Sequence, residues 1–501
     1  MRVTLHAQRR LLQLLLFLLL LLSLLPLLPL LPLCCAANQT AMLPRSPRPS
    51  RGTTQRLRAR FGGAAHAEAT RASLLALLGR GRAPVPAPAP QPLPPPAATA
   101  DVDGLLLEHT TVEVEAGGER CPLLLCREAS RSGEPLRPVF VMHGTGKSLT
   151  DLLEHGHLQR FARRGLLAVG VDARHHGGRV QPGGGNSTAT YWEALITAWR
   201  APEPDADADA DADAAAATPA AAQHRMPFIL DTVHDLMRAL DWLEGRADVD
   251  CSRVGATGIS LGGMMAWYWA AADPRVTSAA PAIGVQGFRW AIAHDAWHAR
   301  AASLAPLMEA AATDLGRRDR APDGGVVAAV WAKIAPGVDA DLDAPRTLAC
   351  AAWPALPNGP ARPVLVVNSA ADPRCPRQGV DEAVAAARDA LGPHRDALRV
   401  FWDESVAAAP LPAAEWARGH VVTPAMWAQI DRFFEDTVLK GLDAPSYDDE
   451  PEPASAATAA AAGGGSTPST KKPSGPAARL GRRGTVKLLQ TGRNLEVGSV
   501  V

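Results

Sequence analysis

Arg253-Val254-Gly255-Ala256-Thr257-Gly258-Ile259-Ser260-Leu261-Gly262-Gly263-Met264 is the stretch on which the fold turns. Its first five residues read as a short strand, Arg253–Thr257. Leu261 opens an apolar run, Leu261–Ala272, that reads as a helix. Between them stands G-x-S-x-G. A strand-to-helix elbow of this composition lifts a serine hydroxyl above the sheet edge, and its glycines let neighbouring backbone pass closely. The Leu261 N–H opens the helix, where it can donate to a developing oxyanion. A plainer reading is a Gly-rich turn with an N-capping Ser260. The flanking strand and helix favour the elbow.

Outward from the elbow, strand and helix signals alternate. Val112–Glu115 and Leu123–Cys126 read as a leading β pair. Pro138–Met142, Leu166–Val171, Ser278–Ile283, Pro363–Val367 and Leu398–Trp402 read as strands. Helices are expected over Asp151–Arg164, Asp231–Leu243, Arg377–Leu391 and Pro424–Leu439. Such alternation predicts an α/β chain with a mostly parallel sheet covered on both faces. The segment 286–336 breaks the pattern and carries Phe288, Trp290, Trp297, Met308 and Trp331. It reads as a helical cap over Ser260, whose aromatics either shape a pocket or pack the cap on the core. Trp267 and Trp269 read as core.

An activated serine needs a base, and the base needs an orienting carboxylate. Asp372 follows the strand Pro363–Val367 in a short loop, and His420 follows Leu398–Trp402. His420 would take the Ser260 proton, with Asp372 fixing its tautomer. Asp403 or Glu404 are rival acids and His394 a rival base, although His394 precedes the last strand. His143-Gly144-Thr145-Gly146 follows Pro138–Met142, where the Thr145 N–H could complete an oxyanion hole with that of Leu261. Gly144-Thr145-Gly146-Lys147-Ser148 is not a P-loop, because Val141 stands where its first glycine belongs. In Asp172-Ala173-Arg174-His175-His176-Gly177, Asp172 and Arg174 are expected to pair beneath the site, with His175 or His176 lining it. No carboxylate or His stands at ligand spacing from them, so neither metal nor cofactor is expected.

Composition bounds the remainder. The 501 residues carry 51 Lys+Arg against 51 Asp+Glu, which argues against nucleic-acid binding by bulk charge. All twelve Trp lie between Trp192 and Trp427, placing the folded domain at 105–441. The N-terminus, 1–37, has a basic start, a Leu-rich run and small residues at Ala36-Ala37, the parts of a signal peptide, with an uncleaved membrane anchor as the alternative. Residues 38–104 are Arg-rich, then Pro/Ala-rich, and read as a linker or an organelle transit segment. The destination is therefore the secretory pathway or, through a two-part address, a plastid. Asn38 and Asn186 are glycosylation acceptors if the chain is secreted. The Asp-Ala insertion at 201–222 and the tail 442–501 are of low complexity. Seven Cys without a CxxC pair give neither a disulfide framework nor a zinc site, and only a Cys121–Cys126 bond suggests itself.

Six stretches carry a resemblance: DARHHG at 172–177, MPFILDTV at 226–233, TGISLGGM at 257–264, GVQGFRWA at 284–291, IAPG at 334–337 and DPRCP at 372–376. The sequence resembles the α/β-hydrolase superfamily near dienelactone hydrolases, acyl esterases and prolyl oligopeptidase catalytic domains. Its likeness is greatest to a group found in plants and cyanobacteria. The resemblance implies the α/β-hydrolase fold and a serine hydrolase that cleaves a small-molecule carboxylic ester through Ser260, Asp372 and His420. A thiol dienelactone hydrolase is excluded, because position 260 is Ser. A small-molecule receptor of this fold, with little turnover, is the alternative. The chain departs from the group in its 201–222 insertion, its loop Ala351–Pro360 and the residues before His420.

Overall fold

The computed structural model describes residues 99–441, except 116–117, 181–185, 202–225, 227–228, 286, 318–321, 335–361 and 406–418, together with residues 72, 74–76 and 78–79. All of these belong to the unit Met1–Pro445. The N-terminal signal, the Asp-Ala insertion, the loop Ala351–Pro360 and the tail 442–501 lie outside the described residues. So do Asn38 and the residues immediately before Gly419.

Among the described residues nine strands form one sheet: β1 (Thr99–Val102), β2 (Leu105–Glu115), β3 (Glu119–Glu128), β4 (Pro138–Met142), β5 (Leu167–Val171), β6 (Val254–Ile259), β7 (Val276–Ala282), β8 (Val364–Ser369) and β9 (Leu398–Asp403). Their order is β1-β2-β3-β5-β4-β6-β7-β8-β9. The first three strands pair antiparallel, and β3 is antiparallel to β5. From β5 to β9 every pairing is parallel. This is the α/β-hydrolase fold. Within the span read as a linker, Thr99–Val102 is an edge strand, and Leu74 and Leu78 are buried in the larger core cluster.

Burial on both faces explains why the central strands read as unbroken apolar runs. Phe140 and Met142 of β4 enter one core cluster, and Val139 and Val141 enter the other. The first face is covered by α4 (Leu230–Glu244), α5 (Leu261–Ala272) and α10 (Arg377–Leu391). The second is covered by α1 (Leu149–Glu154), α2 (His157–Ala162) and α11 (Pro424–Phe434). Every residue of α5 is buried, so it needs no polar face. Its Trp269 meets Phe140 edge-on at 4.7 Å, and Trp267 is also core.

Two helical expectations are corrected. Asp151–Arg164 is not one helix: Gly156, at φ 74°, separates α1 from α2 by a left-handed step that a helix interior does not take. The closing helix ends at Phe434 and continues as a π turn, Glu435–Leu439. One helix was not anticipated: α3, Ser187–Arg200, which is capped by the Asn186 side chain accepting from the Ala189 N–H. The segment 286–336 contains four helices among its described residues, α6 (Phe288–Ala293), α7 (His298–Ala302), α8 (Ala305–Asp314) and α9 (Gly324–Ile334). Phe288, Trp297, Met308 and Trp331 are buried in the core, and the Phe288 and Trp331 rings lie 4.6 Å apart.

Cys121 and Cys126 are both free. They lie five residues apart on β3, so alternation sends them to opposite faces, one into each core cluster. They cannot form the suggested disulfide.

Charged side chains brace the strand ends. Asp235 on α4 accepts two bonds from Arg174, at 2.9 and 2.8 Å, and one from Arg179 at 2.7 Å. Glu115 of β2 also pairs with Arg174, and Glu119 of β3 with Arg179. Burial pushes the Asp235 carboxyl up, but the two guanidinium groups outweigh it and hold the group well below its ordinary value. Asp235→Asn would leave two buried cations short of a partner, and is expected to cost about 3–5 kcal/mol at pH 7. Because the folded pKa is depressed, this contribution is present above the unfolded value and fades as pH falls below about 4. Urea unfolding of the two proteins should therefore show a large midpoint gap at pH 7 that narrows in acid. Equal midpoints at pH 7 would contradict the role of the brace.

Candidate active site

β6 delivers Ser260 to the carboxyl end of the sheet, where open α/β sheets gather their functional loops. Ser260 sits at φ 55° and ψ −110°, between the strand and α5. Its N–H donates to the Ala282 carbonyl on β7 at 3.0 Å. Neighbouring positions accept only glycine. A Cβ on Gly258 would lie 2.4 Å from the Gly262 carbonyl carbon, and one on Gly262 would lie 2.3 Å from the Met142 carbonyl oxygen. The G-x-S-x-G letters are thus a packing requirement between β6, β4 and the first turn of α5.

His420 follows β9 and precedes α11. Its Nε2 is 2.7 Å from Ser260 Oγ, and its Nδ1 is 2.7 Å from Asp372 Oδ2. Asp372 lies in the loop after β8, where its Oδ1 accepts the N–H groups of Arg374 at 2.8 Å and Cys375 at 3.3 Å. That leaves Oδ2 for the imidazole. Gly419 lets the histidine loop close on the aspartate loop, since a Cβ there would stand 2.0 Å from the Ala371 carbonyl oxygen. Ser260, Asp372 and His420 are therefore brought together from three loops. With Asp372 holding the Nδ1 proton, Nε2 is free to accept from the serine hydroxyl.

The rivals are engaged elsewhere. Asp403 accepts the Ser405 N–H and bonds the Thr423 hydroxyl at the start of α11. Glu404 pairs with Arg377 at 2.5 Å on the surface. His394 is exposed in a turn before β9.

The loop after β4 runs beside the serine: a Cβ on Gly144 would be 3.8 Å from Ser260 Cβ. Thr145 comes next and is exposed, and the Lys147 N–H closes a turn onto the Gly144 carbonyl. Leu261 is the first residue of α5, so its N–H has no acceptor within the helix. His143 is buried, with Nε2 accepting the Ala173 N–H at 3.1 Å and Nδ1 donating to the Gly144 carbonyl at 2.8 Å. Burial lowers its pKa, which keeps it neutral and suited to this bridge between the β4 and β5 loops.

The expected Asp172–Arg174 pair does not form. Asp172 turns to backbone, accepting the N–H groups of Leu149 at 2.7 Å and Gly178 at 2.8 Å, while Arg174 reaches Asp235. The His176 ring lies tilted against that of Tyr191 with centroids 4.7 Å apart, and burial pushes its imidazole down to about 3. His175 is half-buried at φ 63°. Among the described residues, two clusters place three metal-ligand atoms within 4.8 Å: Asp372, Cys375 and His420, and Glu115, His234 and Asp235. In the first the Asp–His hydrogen bond occupies the ligand atoms, and in the second Arg174 and Arg179 already neutralise Asp235. Sequence reasoning did not single out the backbone of Cys375 that steadies Asp372.

Burial lowers the His420 pKa below 6.5, and Asp372 opposes that shift. The imidazole is accordingly neutral at pH 7 and protonates only in acid. NMR titration should find a His420 midpoint below 6.5, and Asp372→Asn should lower it further by removing the opposing charge. A midpoint that rises in the variant would contradict the pairing.

Residues 160–306 match the dienelactone hydrolase family, a span that includes the elbow but not Asp372 or His420. YtaP of Bacillus subtilis (strain 168), named as a hydrolase, is 46% identical over 44 residues, which is 9% of this chain and 15% of that protein's length. Among solved structures, an acetyl xylan esterase from Paenibacillus sp. R4 is 17% identical with a TM-score of 0.43, covering 77% of this chain and 99% of that one. Acetyl xylan esterase 1 from Thermoanaerobacterium sp. JW/SL YS485 is also 17% identical with a TM-score of 0.43, covering 76% and 98%. The fold assignment itself rests on strand order and on the elbow at Ser260. By that order the chain has the α/β-hydrolase fold, and its segment 160–306 is similar to the dienelactone hydrolase family.

Proposed function

We propose that the protein is a serine hydrolase that cleaves a carboxylic ester of a small molecule through an acyl-enzyme on Ser260. The observation that carries this reading is the hydrogen-bonded line Ser260–His420–Asp372, with both links at 2.7 Å, ending on an elbow serine of positive φ. The family match and the hydrolase name of the Bacillus subtilis relative agree with it.

In this reading the Ser260 Oγ attacks the ester carbonyl carbon as its proton passes to His420 Nε2. The carbonyl π pair moves to oxygen, which the N–H groups of Leu261 and Thr145 stabilise. The intermediate collapses, the C–O bond to the alcohol breaks, and His420 protonates the departing oxygen. Water then attacks the acyl carbon with His420 as base, releasing the acid and restoring the Ser260 hydroxyl. Asp372 stays ionised throughout, fixing the tautomer and stabilising the imidazolium.

A fluorophosphonate probe tests the proposal on the full chain. Wild type should label at neutral pH and Ser260→Ala should not. Asp372→Asn should slow ester turnover by a factor on the order of 10⁴, the loss seen when such a base takes the wrong tautomer. A folded wild-type protein that neither labels nor turns over an ester panel would overturn the proposal and leave ligand binding as the activity to screen.

A further inference from the structure

The loop after β4 carries Thr145, whose N–H the hydrolase reading sets against the developing oxyanion. How firmly this loop is placed decides how well that N–H is aimed. Both ends of the loop are fixed. The His143 Nδ1 donates to the Gly144 carbonyl at 2.8 Å, and the Lys147 N–H reaches the same carbonyl at 3.2 Å. Ser148 then caps α1, and the Asp151 side chain accepts the Ser148 N–H at 2.9 Å. Between these ends stands Gly146, at φ 77°. A Cβ there would meet Thr188 Oγ1 at 2.2 Å and Thr188 Cβ at 3.6 Å. Apart from its chain neighbours, no other atom of the described residues lies within 4 Å of that position. Glycine therefore lets the Thr188 hydroxyl rest directly on the loop.

A side chain steadies a loop only if its own helix is held. Thr188 is the second residue of α3, and α3 is held along its length. The Asn186 side chain caps it, accepting the Ala189 N–H at 3.0 Å. The Ser187 hydroxyl accepts the Gly177 N–H at 3.1 Å, which ties the same turn to the loop after β5. Tyr191, Leu195 and Trp199 are buried along one face. At the far end, the Trp199 Nε1 and the Arg200 Nε both donate to Asp314 of α8, at 3.0 and 2.9 Å. The first turn of α3 thus joins two site loops, bonded to one through Ser187 and packed on the other through Thr188. We propose that Thr188 is a positioning residue: its hydroxyl oxygen, set against Gly146, holds the Thr145 N–H where the oxyanion forms. The proposal rests on the serine hydrolase reading and adds to it a residue outside the triad and the oxyanion loop.

The test measures turnover of p-nitrophenyl acetate per active site on the full chain, with a fluorophosphonate counting the reactive Ser260. A bacterial host keeps the Asn186-Ser187-Thr188 glycan acceptor out of the comparison. Thr188→Ala empties the contact and should lower kcat by about 10- to 100-fold with KM little changed, because the oxyanion exists only at the transition state. Thr188→Val keeps the side-chain shape but sets a bulkier methyl against Gly146. It should lose activity in the same way, and it decides the matter if the Ala variant does not fold. Thr188→Ser returns the oxygen and should recover most of the loss. A trifluoromethyl ketone, which binds as a tetrahedral oxyanion, should weaken in step with kcat. A role in stability alone would lower the count of active sites and the Tm, but leave kcat per site and the ketone affinity as in wild type. That outcome would overturn the proposal while leaving the hydrolase reading intact. A folded wild type that neither labels nor turns over would sink the hydrolase reading, and the positioning role with it.

Discussion

Ser260 holds φ 55° and ψ −110° with a full side chain, a conformation that costs a residue other than glycine roughly 1–3 kcal/mol. The surroundings over-determine it. The Ser260 N–H is held by Ala282, and Gly258 and Gly262 pack backbone against backbone. Gly263 comes as close to β7: a Cβ there would lie 2.6 Å from the Ala282 carbonyl oxygen. The glycines let α5 lie close on the sheet, and the whole helix is buried.

The other loops of the site are arranged around that fixed serine. Asp372 and His420 follow β8 and β9, on the same carboxyl side of the sheet, and Gly419 lets their loops touch. His143 ties the β4 loop to the β5 loop, and Asp172 ties the β5 loop to the N-terminus of α1. These are hydrogen bonds between buried groups, each expensive to leave unmade, so they hold the geometry more firmly than surface contacts would. Deeper in, Asp235 gathers Arg174 and Arg179 and secures the same loop from beneath.

Much of this was legible in the chain. Pro138–Met142, Leu261–Ala272 and Arg377–Leu391 have the expected bounds because apolar period and Gly or Pro punctuation agree there. Ser260, Asp372 and His420 stood out because each follows a strand in the order the chemistry requires. What escaped had a physical reason. Apolar spacing continues across Gly156, so the break between α1 and α2 was hidden. In α3, Tyr191, Leu195 and Trp199 recur every fourth residue and all three are buried, a signal that a window flanked by low-complexity sequence concealed. Asp172 and Arg174 looked like partners from proximity alone, but Asp172 turns to the N–H groups of Leu149 and Gly178 while Arg174 reaches α4.

The helices of the segment 286–336 share the core of the domain, since Phe288, Trp297 and Trp331 pack into the larger cluster. The central claim is that Ser260 is the atom to which the acyl group is transferred. Acid quenching during turnover of a p-nitrophenyl ester, followed by peptide mass spectrometry, tests it directly. The account predicts the acyl mass on the peptide that contains Ser260, in an amount approaching that of the enzyme when deacylation is slow. Turnover with the acyl group on Cys375, or on no residue under those conditions, would contradict it.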